Sequence, residues 1–246
     1  MAAALEFARR FVASCHPDAD AAVLGGSQAR GEAAVGSDYD IVLLFAAMSS
    51  GAWRKMVLFE GRHVEVFAHD LKTLAYFFHE VDRPSAKPVL PNLIVEGIPV
   101  WSRTAATLEA ARDLAREVLR LGPPPLDDAA LRLRRYMITD LAVALRPGRD
   151  RQIHLAAGTA LYVALADFAL RAAGRWSATG KAVPKALAAL DAGLPTRFET
   201  AFTASGKARR LKFRRWWTPC WRRMAAGCGR ASIKGLEKGE EKSYIK

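Results

Sequence analysis

The chain has 246 residues, 51% of them hydrophobic and 25% charged, which is enough for one large or two small domains with real cores. Its three cysteines, Cys15, Cys220 and Cys228, exclude a disulfide framework, and no Cys/His cluster has zinc-site spacing. The net charge of +12 is unevenly spread: residues 205–246 hold 13 Lys and Arg against 3 acids, a net of +10, leaving +2 for residues 1–204 and no electrostatic reason to give the body a nucleic-acid partner.

In chain order, Leu5, Phe7, Ala8, Phe11 and Val12 recur at helical spacing and predict a helix over 2–14. A short buried strand over 19–24 then delivers the chain to Leu24-Gly25-Gly26-Ser27, and a helix over about 27–32 follows. A polar loop containing Gly36 leads to Ser37-Asp38-Tyr39-Asp40 and the apolar run 41–45, a second strand with two acids at its mouth. Residues 55–60 and 63–69 flank Gly61-Arg62 and read as a β-hairpin. In its second strand His63, Glu65 and Phe67 share one face, and Val64, Val66 and Ala68 the other. A helix over 70–80, capped by Asp70, precedes a proline-rich stretch, a helical segment ending at Glu96 and a strand over 98–102. This is an α+β pattern, a mixed sheet of four or five strands flanked by helices, and it defines a first domain over 1–103.

From 104 to 204 the pattern is helical: 108–121, closed by Gly122-Pro123-Pro124-Pro125, then about 127–145, 151–173, 184–192 and 195–204. These make a bundle of about five helices, with 151–173 at its centre. Residues 205–246 form a basic tail in which arginines alternate with Trp216, Trp217 and Trp221. We expect it to be loosely ordered, and it is the part suited to nucleic acid or a membrane surface. No apolar run is expected to reach the ~20 residues of a bilayer span, and Met1 to Phe11 carries an acid and two arginines in place of a secretory pattern, so a cytoplasmic protein is expected.

The chemistry gathers at two places. Asp38 and Asp40 alternate in a strand and so face the same way, and two like charges that close repel unless a cation lies between them. A hard divalent ion such as Mg²⁺ takes one or two carboxylates and completes its shell with water and phosphate oxygens. Beside them, Gly25 and Gly26 let the backbone approach an anion, and Ser27 offers a hydroxyl and an amide at a helix start.

Gly26-Ser27 at a strand-to-helix turn, followed by the Asp38-x-Asp40 pair, resembles the nucleotidyltransferase superfamily that includes DNA polymerase β, the aminoglycoside nucleotidyltransferases and the minimal nucleotidyltransferases. The resemblance implies a metal-dependent enzyme that moves a nucleoside monophosphate, AMP from ATP or the equivalent from another NTP, onto an acceptor hydroxyl with one or two Mg²⁺ ions. It also implies a third carboxylate on a neighbouring strand, a position that Glu65 matches, with Glu where many relatives have Asp. Glu65 then serves as metal ligand or general base; an exposed acid paired with Arg62 is the bland reading. Arg30 falls near the phosphates, with a salt bridge equally open to it. The layout of sheet domain plus helices is similar to two-domain bacterial enzymes of the aminoglycoside-modifying type, in which the helical part holds a small-molecule acceptor. On that resemblance Lys181 contacts the triphosphate and Trp176 and Tyr136 the substrate, against readings of a solvated lysine, a tryptophan covering the bundle and a core tyrosine. Asp140 and Asp167 read as ion-pair partners of arginines. An antitoxin-like enzyme acting on protein or tRNA, or a nucleotide-binding module without turnover, are the alternatives. The acceptor and the oligomeric state are not encoded in any spacing.

Overall fold

The computed structural model describes residues 1–146 and 148–203. The basic tail, with its tryptophans, Cys220 and Cys228, lies outside them. The described residues divide into two compact units, one made of Met1–Pro125 with Gly174–Thr179, the other of Leu126–Ala173 and the described residues from Gly180 to Thr203.

In the first unit, helix α1 (Ala2–Cys15) leads to strand β1 (Ala21–Leu24), the short helix α2 (Gly26–Arg30) and strand β2 (Tyr39–Leu44). Strands β3 (Trp53–Phe59) and β4 (Arg62–His69) follow, then α3 (Leu71–Tyr76), a π-helical turn Phe77–Asp82, α4 (Arg83–Ser85), α5 (Val89–Glu96), strand β5 (Ile98–Ser102) and α6 (Ala105–Leu121). The sheet order is β3-β4-β2-β1-β5. Strand β2 runs parallel to β4, and the other neighbouring pairs are antiparallel, so the mixed sheet expected to have four or five strands has five. The hairpin turn falls on Glu60 and Gly61, both with positive φ (47° and 73°), as a two-residue turn matching the strand twist requires. That turn pairs Phe59 with Arg62 and fixes the register upstream.

Period-two alternation gives the sheet two apolar faces. On one, Ala22, Leu24, Ile41, Leu43, Val64 and Val66 meet Phe7, Ala8, Phe11 and Val12 of α1. On the other, Val23, Val42, Leu44 and Phe67 meet Leu74, Phe78, Leu93 and Ile94, together with Leu108, Ala111, Ala115 and Val118 of α6. Each fully buried Phe or Leu contributes about 1.5–3 kcal/mol. The sequence placed the domain division after residue 103, whereas α6 supplies a full stripe to this core, so the first unit continues to Pro125.

Two titratable groups in this unit, buried His69 and half-buried Asp82, oppose each other. Burial pushes His69 down from 6.5 to about 4, and burial pushes Asp82, which accepts from the Leu90 amide, up from 3.8 to about 6. A depressed histidine favours the folded state above pH 6.5 and loses that contribution as pH falls toward 4; a raised carboxyl favours it below 3.8 and loses that as pH rises through 6. Between pH 4 and 6 their slopes offset. Asp82→Asn leaves the histidine slope uncompensated, so its urea-unfolding free energy should fall more steeply than wild type from pH 6 to 4; equal slopes would refute the assignment.

The second unit contains α7 (Asp128–Ala144), α8 (Arg151–Ala172), a 3₁₀ turn Gly180–Ala182, α9 (Val183–Leu190) and α10 (Leu194–Thr203). Asp127 and Asp150 cap α7 and α8 with their carboxylates. Its bundle therefore has four α-helices among the described residues. The expectation that no segment reaches bilayer length is corrected by α8, which at 22 residues and a mean hydropathy of 1.6 is long and apolar enough to cross a membrane. Apart from Tyr162, small and apolar residues fill it from Leu155 to Ala166, and Leu161, Leu165, Phe168, Ala169 and Leu170 are buried within the unit.

Candidate active site

The glycine turn is locked onto the acidic strand by its backbone. The Gly25 amide donates to the Asp40 carbonyl at 2.8 Å, which draws the end of β1 against the start of β2. Gly26 follows with φ +62°, and a Cβ placed there would lie 1.8 Å from Asp40 Oδ2. No side chain fits between this backbone and that carboxylate, so glycine is required twice over, by conformation and by space.

The parallel register sets Asp40 directly beside Glu65 on the neighbouring strand. Partners in a parallel pair point to the same face, so both acids share the side of Val42 and Phe67. Asp38, two residues before Asp40, completes the group. One carboxylate oxygen from each of Asp38, Asp40 and Glu65 lies within 4.8 Å of the others, and all three residues are half-buried. Oxygens bound to one hard cation at about 2.0–2.6 Å can be no more than about 4–5 Å apart, so this all-oxygen, all-anionic set fits Mg²⁺ or a similar ion.

Ser27 adds an independent sign of a ligand. It is only 7% exposed, and its hydroxyl has no hydrogen-bond partner. A buried polar group left unpaired is costly, and a phosphate oxygen at the turn would satisfy it. Helix α2 ends at Arg30 with Gly31 left-handed, shorter than the expected 27–32. Five residues carry little dipole, so the anion seat rests on Gly26 and Ser27 rather than on the helix.

The other candidates fall out differently. Arg30 is held by Glu32 at 2.7 Å and Glu96 at 3.1 Å, the salt-bridge reading; hydrogen bonding to Glu32 is the first cause of its raised pKa. Trp176 lies in the segment that belongs to the first unit and packs against the core of Leu74, Phe78 and Val118, beside a bond from the Ser177 amide to the Ala86 carbonyl at 2.7 Å. It packs on the sheet core rather than on the helical bundle. Trp176→Ala should lower stability by about 2–3 kcal/mol in urea unfolding and leave the nucleotide KM unchanged; a raised KM without loss of stability would restore a binding role. Tyr136 is 69% exposed on α7, so it is no core residue, and it stands with Lys181 in the second unit. Asp167 pairs with Arg134 at 3.2 Å, as expected of it.

Sequence reasoning missed Arg54. Glu65 is bonded not by Arg62, which donates to the Tyr39 hydroxyl from the opposite face, but by Arg54, whose Nε and Nη2 lie 2.6 and 2.5 Å from Glu65 Oε1. The signal was present in the hairpin. A two-residue turn at 60–61 pairs Met56 with Glu65 and Arg54 with Phe67, which puts Arg54 on the Glu65 face, one diagonal away.

Residues 6–111 match the family model described as "Nucleotidyltransferase domain". They belong to the nucleotidyltransferase superfamily. The match spans β1, the glycine turn, β2, β4 and part of α6, so the turn and all three acids lie inside this nucleotidyltransferase domain. No curated protein matches the chain. Among solved structures, a nucleotidyltransferase-like protein from Exiguobacterium sibiricum 255-15 is similar at 11% identity over 91% of this chain and 74% of that one, with a TM-score of 0.43, a likeness too loose to carry an argument.

Proposed function

We propose that the chain transfers a nucleoside monophosphate, AMP from ATP, to a hydroxyl of a small-molecule acceptor, and that the transfer depends on Mg²⁺. The observation that carries this reading is the convergence of Asp38, Asp40 and Glu65 beside Gly26 and the unpartnered Ser27 hydroxyl. Asp38, Asp40 and Glu65 would hold one or two Mg²⁺ ions, which neutralise charge developing on the phosphate oxygens and make the acceptor oxygen a better nucleophile. Gly26 gives the triphosphate a close approach, and Ser27 donates its hydroxyl hydrogen to a phosphate oxygen. The acceptor oxygen attacks the α-phosphorus, the bond from that phosphorus to the β-bridging oxygen breaks, pyrophosphate leaves, and the hydroxyl proton passes to water. The protein's own part is positioning, worth about 7–11 kcal/mol where the reacting atoms are held in near-attack geometry. The near-neutral charge of residues 1–204 favours a small acceptor over a nucleic acid. Pyrophosphate release from ATP and Mg²⁺, measured across a panel of aminoglycosides, lincosamides and other polyols, tests the reading; release with none of them would remove the small-molecule acceptor from it.

A further inference from the structure

Arg54 stands on the edge strand β3 with its guanidinium 4.7 Å from the centroid of Phe67, its cross-strand partner. From that seat both Nε and Nη2 converge on one oxygen of Glu65, Oε1. The Glu65 side chain is 16% exposed and that of Arg54 62%, so the carboxylate is the half-buried member and the cation reaches it from the solvent side. The pair is not needed to hold the hairpin, because the two strands are already paired along their length from Trp53–Ala68 to Phe59–Arg62. A part-exposed ion pair also adds little to stability. It does have a direct bearing on the acidic cluster. Glu65 lies beside Asp40, and Arg54 supplies positive charge that offsets this crowding of anions before a metal ion binds. Arg54, Met56 and Leu58 of β3 and His63, Glu65 and Phe67 of β4 share this face, and Arg54 is the one permanent cation among those six.

We propose that Arg54 is a positioning residue that acts as the resting counter-cation of Glu65, competing with a divalent ion for Oε1 and setting the ion concentration at which Glu65 joins the ligand set. Oε1, which already accepts two N–H groups, cannot also bind a hard cation well, so Arg54 must let go before Glu65 ligates through that oxygen, alone or as a bidentate carboxylate. The inference rests on the proposed metal site and deepens it: of the three acids, Glu65 is the one whose entry into the ligand set Arg54 holds back.

Titration with Mn²⁺ alone at low ionic strength and neutral pH, followed by electron paramagnetic resonance of the free ion, reads this without any turnover. Arg54→Met keeps an apolar stem over Phe67 and removes the competing charge. It should bind Mn²⁺ about three- to fivefold tighter than wild type, the size of one part-exposed ion pair. Arg54→Lys, which keeps the charge and loses the fork, should fall between them. The gain from Arg54→Met should vanish in a Glu65→Gln background, where no carboxylate is left to compete for. Equal affinity of Arg54→Met and wild type, or a gain that persists in the Glu65→Gln background, overturns the proposal. Asp40→Asn separates the two layers of the argument. If it abolishes Mn²⁺ binding while Arg54→Met changes nothing, the metal site stands and the role of Arg54 falls; if it binds Mn²⁺ as wild type does, the metal site itself falls. Circular dichroism of each variant confirms that a folded protein was measured.

Discussion

Asp40→Asn is expected to lower nucleotidyl transfer by at least about 10³-fold while leaving the fold in place. Asp40 is the acid tied both to the glycine turn and to Glu65. Its Oδ2 faces the Cα of Gly26, its backbone carbonyl accepts the Gly25 amide, and its strand neighbour is Glu65. Asparagine keeps the backbone bond and nearly the same shape, so the β1–β2 junction survives. What disappears is one of the anionic oxygens that a hard cation requires. Thermal unfolding should therefore stay within a few degrees of wild type, pyrophosphate release should be lost, and Mn²⁺ affinity should drop with it. Near-normal turnover in this variant would show that the three acids are not the reaction centre.

Gly26→Ala should be almost as damaging by a different route. An alanine at φ +62° costs about 1–2 kcal/mol in backbone strain. Its methyl would also lie 1.8 Å from Asp40 Oδ2 and 2.8 Å from Cγ, so the carboxylate must move. Displacing a reacting-centre group by about 1 Å can cost 10²-fold in rate, and the loss here should be at least about that size, with weaker Mn²⁺ binding alongside. Gly25 offers the contrast. A Cβ there meets Leu93 Cδ2 at 2.7 Å, the end of a flexible side chain, and its φ of −107° is ordinary. Gly25→Ala should lose stability through that contact and keep far more activity than Gly26→Ala. If the two variants lost activity equally, the contact between Gly26 and Asp40 would not be what demands glycine.

Much of this was legible in the sequence because it depends on local rules. Apolar periodicity fixed α1, the hairpin was legible although its turn falls on Glu60-Gly61 and not on the expected Gly61-Arg62, which shifts the β3–β4 pairing by two residues, and alternation placed Asp38 and Asp40 on one face and His63, Glu65 and Phe67 on one face of their own strand. That β2 and β4 lie side by side and parallel, which brings Asp40 against Glu65, is a long-range pairing that no local pattern encodes; the family resemblance supplied the neighbouring strand but not its direction. The rest was hidden for the same reason. Amphipathic α6 reads as a bundle helix, since its stripe of Leu108, Ala111, Ala115 and Val118 would suit either partner, and only the tertiary fold decides that it covers the sheet. Trp176 follows a helix of the second unit, yet its ring packs against the first unit's core, a return of the chain that nothing near residue 176 announces. Arg54 carries no motif and lies one residue before the strand expected over 55–60, so it was passed over.

ATP labelled separately at the α and γ positions shows most directly which phosphorus is attacked. Incubated with Mg²⁺ and the acceptor panel, the protein should move α-label onto an acceptor, release the γ-label as pyrophosphate, and do neither as the Asp40→Asn variant. Transfer of γ-label to the acceptor, or α-label transfer undiminished in that variant, would contradict nucleotidyl transfer at the Asp38, Asp40 and Glu65 site.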